Sequence, residues 1–273
     1  MRTIINFILK QHNIIIFLAL EIYAIIITIT YSDYHHNISY SIINEFIGNI
    51  HNAYYSLYKY VNTVDENKKL ANQNAELLTE LLNFKDNNSF ATDSNIEKIY
   101  KAIPANVVYL NVHQRTNYII INKGYNDSIE PDMGVISSEG VVGVVKDVSA
   151  NFSTIIPIIN VNAHISAKIK KNNHFGTTTW DGKNYRIVQL CNIPYHVKVR
   201  IGDTVVTSGF STIFPEGIMI GKIINYNYSE GNDFYYIEIQ LSTDFNSLNN
   251  VYVIKNSLKN EYKKIENKIK DVQ

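Results

Sequence analysis

Apolar residues in this chain change their spacing once, near residue 95, and that change restricts the possible architectures more than any other feature. Before it, Ile43, Ile50, Leu57, Val64, Ala71 and Leu78 recur every seven residues. A second row, Ile47, Tyr54 and Val61, lies beside them and drifts to Asn67, Asn74 and Leu81. A seven-residue repeat held over about five heptads without a proline predicts a coiled coil, placed at 38–86. So long a row needs a partner of equal length, and a homodimer is the expected consequence. The alternative is a single amphipathic helix that packs back on its own domain. Asn67 and Asn74 fall on the seam, where a polar residue sets register and oligomer state at some cost in stability.

Beyond the turn-former cluster "DNNSFATDSN" (86–95) the period becomes two. The linker is placed at 87–105 and a β-rich body at 106–256. Runs such as "NVVYLNV", "NYIIINK", "GVVGVVKDVS", "FSTIIPIIN", "HISAKIK", "YRIVQLC", "GIMIGKIINY" and "FYYIEIQLS", divided by turn formers, predict a sandwich or barrel with no long helix between Asn106 and Ile254. Two blocks, 128–145 and 199–223, share an order of turn, β pair, glycine and strand with an inner glycine, Gly143 or Gly221. This predicts two related small barrels with a split near Asn172 or after it. The charged tail, 257–273, either forms a short helix with Leu258, Tyr262, Ile265 and Ile269 on one side or stays disordered.

At the other end, Ile14 to Thr30 reads "IIIFLALEIYAIIITIT", with Arg2 and Lys10 before it. No small-residue cleavage pattern follows, so a retained transmembrane helix is expected at 13–31. Glu21 opposes insertion by about 2.5–3.5 kcal/mol, against roughly −0.3 to −0.6 for each apolar residue, so insertion wins. The flanking basic residues put a short segment, 1–12, in the cytoplasm and the bulk outside a bacterial inner membrane. Glu21 either contacts another membrane helix or is tolerated by snorkelling or neutralisation.

Twenty-five basic and twenty-five acidic side chains balance, which argues against nucleic acid as a partner. Cys191 stands alone, without companions for a disulfide, zinc site or redox pair, and reads as a small buried apolar residue. His35 and His36 lack ligands at metal-binding spacing and read as a solvated junction. No metal, cofactor or catalytic residue is expected.

The serine hydrolase alternative places Ser208 as nucleophile, with His113 or His164 as base and Asp132 or Asp147 as orienting carboxylate. Local chemistry favours a turn. Gly202-Asp203 leads into "TVVT", Ser208-Gly209 leaves it, and Phe214-Pro215-Glu216-Gly217 places Pro and Gly at β-turn positions. Thr207 also precedes the serine where barrel proteases carry glycine. The glycines of "GVVGVV" have no helix after them and make no phosphate loop.

Together, Lys123-Gly124, Met133-Gly134-Val135, the stretch Gly140 to Val145, Gly202-Asp203, Thr207-Ser208-Gly209, Phe214-Pro215, Gly217 and Ile220-Gly221-Lys222 resemble the MreC family of bacterial rod shape-determining proteins. The resemblance runs in order along nearly the whole chain. It implies two six-stranded barrels of chymotrypsin-like topology without a catalytic triad, presented in the periplasm as a dimeric, non-enzymatic scaffold. It implies partners as well: MreD, the MreB filament, penicillin-binding protein 2 and RodA, in coupling the cytoskeleton to peptidoglycan synthesis. The glycines named, with Asp203, Thr207, Ser208, Phe214 and Pro215, carry over as fold determinants. Two other readings remain: a periplasmic adaptor of an efflux or secretion system, which usually needs a helical hairpin, and the anchored hydrolase.

Overall fold

The structure, a computed structural model, describes residues 12–31, 65–84, 99–228 and 233–270. Helix α1 spans His12–Tyr31, and helix α2 covers 65–84. Then come strands β1 (Tyr100–Leu110), β2 (Ile119–Ile121), β3 (Gly134–Ile136), β4 (Val141–Val148), β5 (Ser153–Pro157) and β6 (Ile165–Ile169). They are followed by β7 (Phe175–Thr179), β8 (Ile187–Cys191), β9 (Thr204–Thr207), β10 (Met219–Asn227), β11 (Tyr236–Leu241), β12 (Asn250–Asn256) and helix α3 (Lys259–Lys270). Residues 1–67 and 68–273 form separate units.

The strands close into two antiparallel barrels of six strands each. Closure removes the free edges that would otherwise pair with other chains. Interior positions alternate with exterior ones, as in β5 and β8, and isoleucine and valine fill the core, including fully buried Ile119, Ile155, Ile169 and Val205. β-Branched side chains suit this pleated, half-buried setting.

The split differs from the expectation. The second barrel holds β6 to β11 and is inserted between β5 and β12 of the first, so the crossing lies before Asn172 and the chain returns. Going round, the first barrel reads β12-β3-β4-β5-β2-β1 and the second β6-β9-β10-β11-β8-β7. The two circuits match strand for strand. The strand that opens the second barrel takes the place of the strand that ends the first, a circular permutation that no linear repeat search would register.

The echo between the two sequence blocks has a physical basis in this equivalence. Gly143 lies opposite Pro157, and a Cβ there would stand 2.2 Å from the Ile156 carbonyl oxygen. Gly221 lies opposite Leu241, with the Gln240 carbonyl at 2.1 Å from the same imagined atom. Both strands pass too close to a neighbouring backbone for any side chain. Asp132 and Gly202 correspond too: the Asp132 N–H donates to the Val145 carbonyl (2.9 Å) and the Gly202 N–H to that of Ile223 (2.7 Å), both with left-handed φ.

Two strands, β7 and β12, lie outside both the expected runs and the two echoing blocks, whose β pairs are β3 and β9. β7, "FGTTT", is short and polar, and β12 closes the first barrel through Val251 and Val253. β1 begins at Tyr100, so residues 100–105 are strand and not linker.

Helix α2 explains why β1 starts early. The N-terminal half of β1 pairs with β12 on one side only, leaving an edge at Tyr100 and Ala102. Asn83 accepts from the Tyr100 N–H (3.0 Å) and donates to the Tyr100 carbonyl (2.7 Å), while Thr79 Oγ1 accepts from the Ala102 N–H (2.9 Å). Pro104 follows, with no N–H to satisfy. Two helical side chains thus stand in for a missing strand.

Candidate functional site

The loop between β9 and β10, 208–218, is where the distinctive sequence block lies, and its residues join the two barrels. Thr207 closes the loop: its hydroxyl donates to the Pro215 carbonyl (2.6 Å) and accepts from the Ile218 N–H (2.9 Å). The Gly217 N–H donates to the Thr207 carbonyl (3.0 Å), and Gly209 and Gly217 turn the chain at φ 79° and 84°. Upstream, the Asp203 carboxylate accepts from the Arg200 N–H (2.9 Å) and caps the turn that contains Gly202.

Phe214, 3% exposed, crosses to the first barrel. A Cβ on Gly134 of β3 would lie 2.6 Å from its ring and 2.5 Å from the Ile213 carbonyl. Pro215 is buried beside it, and the Asn256 amide of β12 donates to the Thr212 carbonyl at 3.1 Å. A second set of contacts joins the β3–β4 hairpin to the exit of β11: the Thr243 hydroxyl donates to the Val141 carbonyl (3.0 Å) and meets Ser137 Oγ (3.3 Å). A Cβ on Gly140 would clash with the Met219 carbonyl at 2.4 Å. Gly124, by contrast, packs inside the first barrel, its Cα facing the Ser149 and Ala150 carbonyls.

Ser208 is 4% exposed. Its N–H donates to the Ser166 carbonyl (3.1 Å), and its Oγ accepts from the Phe210 N–H (3.3 Å). The residues proposed as its helpers have other places. His113 sits in the exposed β1–β2 loop, His164 is exposed before β6, and Asp147 is exposed on β4. Asp132 pairs with Lys263 of α3 at 2.7 Å, which holds its carboxyl below the usual carboxylate range. Among the described residues no three His, Cys, Asp or Glu groups are placed to hold a metal ion. Cys191 is half-buried, 3.4 Å from the Thr179 hydroxyl, and not fully enclosed as expected.

Sequence reasoning passed over Lys168. It is almost fully buried on β6 and forms an ion pair with Glu216, which pins the 208–218 loop to its own barrel wall. A lysine inside an apolar strand, "HISAKIK", carried that signal, since a buried ammonium demands a partner. Lys259 is similar: buried, it donates to the Pro131 carbonyl, and burial pushes its ammonium pKa down. It seats the first turn of α3, whose Tyr262 and Ile265, like Leu258 just before the helix, remain about half exposed.

The predicted self-association row divides. Ile43, Ile50, Leu57 and Val64 lie outside the described residues, as do His35 and His36. Ala71 and Leu78 are half-buried, and Leu78 packs with buried Ala75 and Leu82 against the core of the chain's own body. For 68–84 the packing-back alternative is therefore what the structure has. A neighbouring face stays open: Leu70, Leu77, Leu81 and Phe84 are 50% to 71% exposed. These residues, with exposed Asn74, alternate by three and four, which is the spacing of a second seam. In α1, Glu21 is exposed among exposed Ile14, Phe17, Leu20, Ile22 and Ile26, so apolar side chains cover all sides. Counted on the described residues alone, no helix is long and apolar enough to cross a membrane.

Comparison with known proteins identifies the body. The family model "Rod shape-determining protein MreC, barrel core" matches residues 107–255, which hold the rest of β1, every strand from β2 to β11 and nearly all of β12. The chain belongs to the MreC family. The cell shape-determining protein MreC of Listeria monocytogenes is 30% identical over 206 residues, covering 72% of this chain and 70% of that protein. MreC of Bacillus subtilis is 26% identical over 167 residues, 58% of either chain. A solved Listeria MreC structure is similar with TM-score 0.55 at 29% identity, over 71% of this chain and 92% of that one. The crystal structure of Pseudomonas aeruginosa MreC shares the fold with TM-score 0.53 at 20% identity, over 56% and 98%. Within this MreC-family body the distinctive loop is a clasp between barrels, built from packing and from hydrogen bonds between side chains and backbone.

Proposed function

We propose that this chain is a membrane-anchored, non-enzymatic scaffold of the bacterial cell-elongation machinery, which couples the MreB cytoskeleton to the peptidoglycan synthases. The match of the MreC barrel core to 107–255 carries the reading. The clasp supports it: Ser208 is buried in its turn with Oγ accepting from the Phe210 N–H, while His113, His164 and Asp147 are exposed elsewhere and Asp132 pairs with Lys263. Family membership supplies the partner set of penicillin-binding protein 2, RodA, MreD and MreB.

Helix α1 is the proposed single-pass anchor, with its N-terminus in the cytoplasm and the barrels in the periplasm. The apolar run Ile14 to Thr30, read on the full sequence and not on the described residues alone, supports this, since 20 helical residues reach about 30 Å at 1.5 Å each, roughly the thickness of a hydrocarbon core. Glu21 would contact a second membrane helix. Self-association is proposed through the coiled coil, Ile43, Ile50, Leu57 and Val64, continuing at 68–84 on the open face of Leu70, Leu77, Leu81 and Phe84. The body fits the chymotrypsin-like double barrel of the family, with Gly124, Gly134, Gly143, Gly202, Asp203, Thr207, Ser208, Gly209, Phe214, Pro215, Gly217 and Gly221 as fold determinants.

Crosslinking of the intact protein in its own membranes, followed by pull-down and mass spectrometry, tests this. Recovery of a penicillin-binding protein, RodA or MreD is the expected result. Recovery of a transporter without cell-wall proteins would overturn it in favour of the adaptor.

A further inference from the structure

The end of the first barrel nearest the start of β1 opens into a cavity of about 420 Å³. Lys101 of β1 and Lys255 of β12 line it, and they are register partners across the antiparallel pair. Directly opposite residues send their side chains to the same face, and like charges in that position repel. By the two-residue period this is the face of fully buried Val253 and Val251, so the two ammonium groups stand at the barrel mouth. Neither lysine has an ion pair among the described residues.

Of the acidic groups nearby, Glu76 shares an adjoining pocket with Lys101 but forms no ion pair with it. Asp127 also lines the cavity, but it is held by Lys123 at 2.5 Å and accepts from the Gly124 N–H, so its carboxyl is kept below the usual range. With Asp127 neutralised by Lys123 outside the cavity, the two lining lysines, Lys101 and Lys255, leave a charge of +2 among the lining groups. Ser128, at left-handed φ of 64°, adds a hydroxyl with no hydrogen bond to another described residue. Ile99 and Ile103 form an apolar margin. Repulsion between opposed lysines is a standing cost to the fold, and a bound anion would remove it.

We propose that the mouth of the first barrel is a binding site for a phosphate-bearing ligand, held between Lys101 and Lys255. Ammonium groups act as point charges and suit a tetrahedral phosphate, whereas planar carboxylates are matched by the guanidinium fork, which this mouth lacks. Barrel mouths are a regular location for small-ligand sites. The site is separate from the clasp and independent of the scaffold reading. The phosphate could be free, or part of an ester whose apolar portion lies on Ile99 and Ile103.

Thermal unfolding of the full chain in non-ionic detergent, at constant ionic strength balanced with chloride, tests the site. The probes are inorganic phosphate, glycerol phosphate and dihexanoyl phosphatidylglycerol. The wild-type Tm should rise saturably with at least one of them, since a ligand that binds only the folded state stabilises it. Lys101→Gln and Lys255→Gln should each start from a Tm equal to or above wild type and weaken the apparent Kd at least tenfold. Lys146→Gln, an exposed lysine on β4, should respond as wild type does. Equal response to inorganic and glycerol phosphate identifies a free phosphate site, and tenfold tighter binding of the acylated ester identifies a lipid headgroup. No saturable response to any probe, or the same response in both mouth variants, overturns the proposal.

Discussion

Phe214→Ala and Gly134→Ala should each destabilise the protein, yet the double variant should lose less than the sum of the two. Removing the Phe214 ring, 3% exposed, costs about 3–5 kcal/mol, the range for phenylalanine truncation in a core. Adding a methyl group at Gly134, where it would stand 2.6 Å from that ring, overpacks the junction and costs about 1–3 kcal/mol. With the ring gone the methyl group occupies part of its space. The 2.5 Å approach to the Ile213 carbonyl is also relieved, because that carbonyl belongs to the loop the ring had held in place. The coupling should therefore be at least about 1 kcal/mol in favour of the double variant, well outside the 0.3–0.5 kcal/mol scatter of independent sites. Urea unfolding of the full chain, followed by fluorescence of the sole tryptophan, Trp180, which is buried in the second barrel, measures all four corners. Additivity within 0.5 kcal/mol would refute the clasp as a barrel-to-barrel contact.

Other outcomes follow from the same geometry. Ser208→Ala should leave cell-shape function intact and cost less than about 1 kcal/mol, since the hydroxyl accepts one long hydrogen bond; loss of shape in a stable variant would restore the hydrolase reading. Asn83→Ala should destabilise by about 1–3 kcal/mol and speed hydrogen exchange at the Tyr100 amide, because the Tyr100 N–H and carbonyl both lose their bond to the Asn83 amide. Leu77→Lys with Leu81→Lys should shift the solubilised protein towards monomer in analytical ultracentrifugation without lowering its Tm, since both side chains are exposed. Asp132 has its pKa depressed by Lys263, so the pair's stabilisation is present above the unfolded carboxylate value near 4 and disappears as pH falls through the lower folded value. Lys263→Met should thus cost at most about 1 kcal/mol at pH 7 for so exposed a pair, and nothing at the acid end of a pH-resolved unfolding series.

How far the sequence reveals the clasp depends on what each residue needs from its surroundings. Gly143 and Gly221 were legible as a pair because both face a neighbouring carbonyl across a ladder, a local demand that leaves the same mark twice. Phe214 and Gly134 were visible as motif residues, but their contact spans eighty positions and two barrels, and no local pattern encodes it. Lys168 went unread because its partner, Glu216, sits on a turn that only folding brings beside it. β12 was missed for a related reason: its pairing with β1 and β3 joins the two ends of the body, across an inserted barrel.

Periodicity by itself determined the class of each part of this protein, because helical and extended backbones present side chains at different repeats and apolar residues must follow them. It therefore settled the β-rich body, the helical segment before it and the apolar segment at the start. Closure was decided elsewhere. The same alternating strands could pair in many orders, and long-range hydrogen bonding selects the two matched circuits, permuted relative to each other. Tertiary structure also chose between the two faces of α2. A row with seven-residue spacing specifies an apolar partner but not which one, and the unpaired edge of β1 takes the face of Ala75, Thr79 and Leu82. The leucines one step round the helix are what remains exposed.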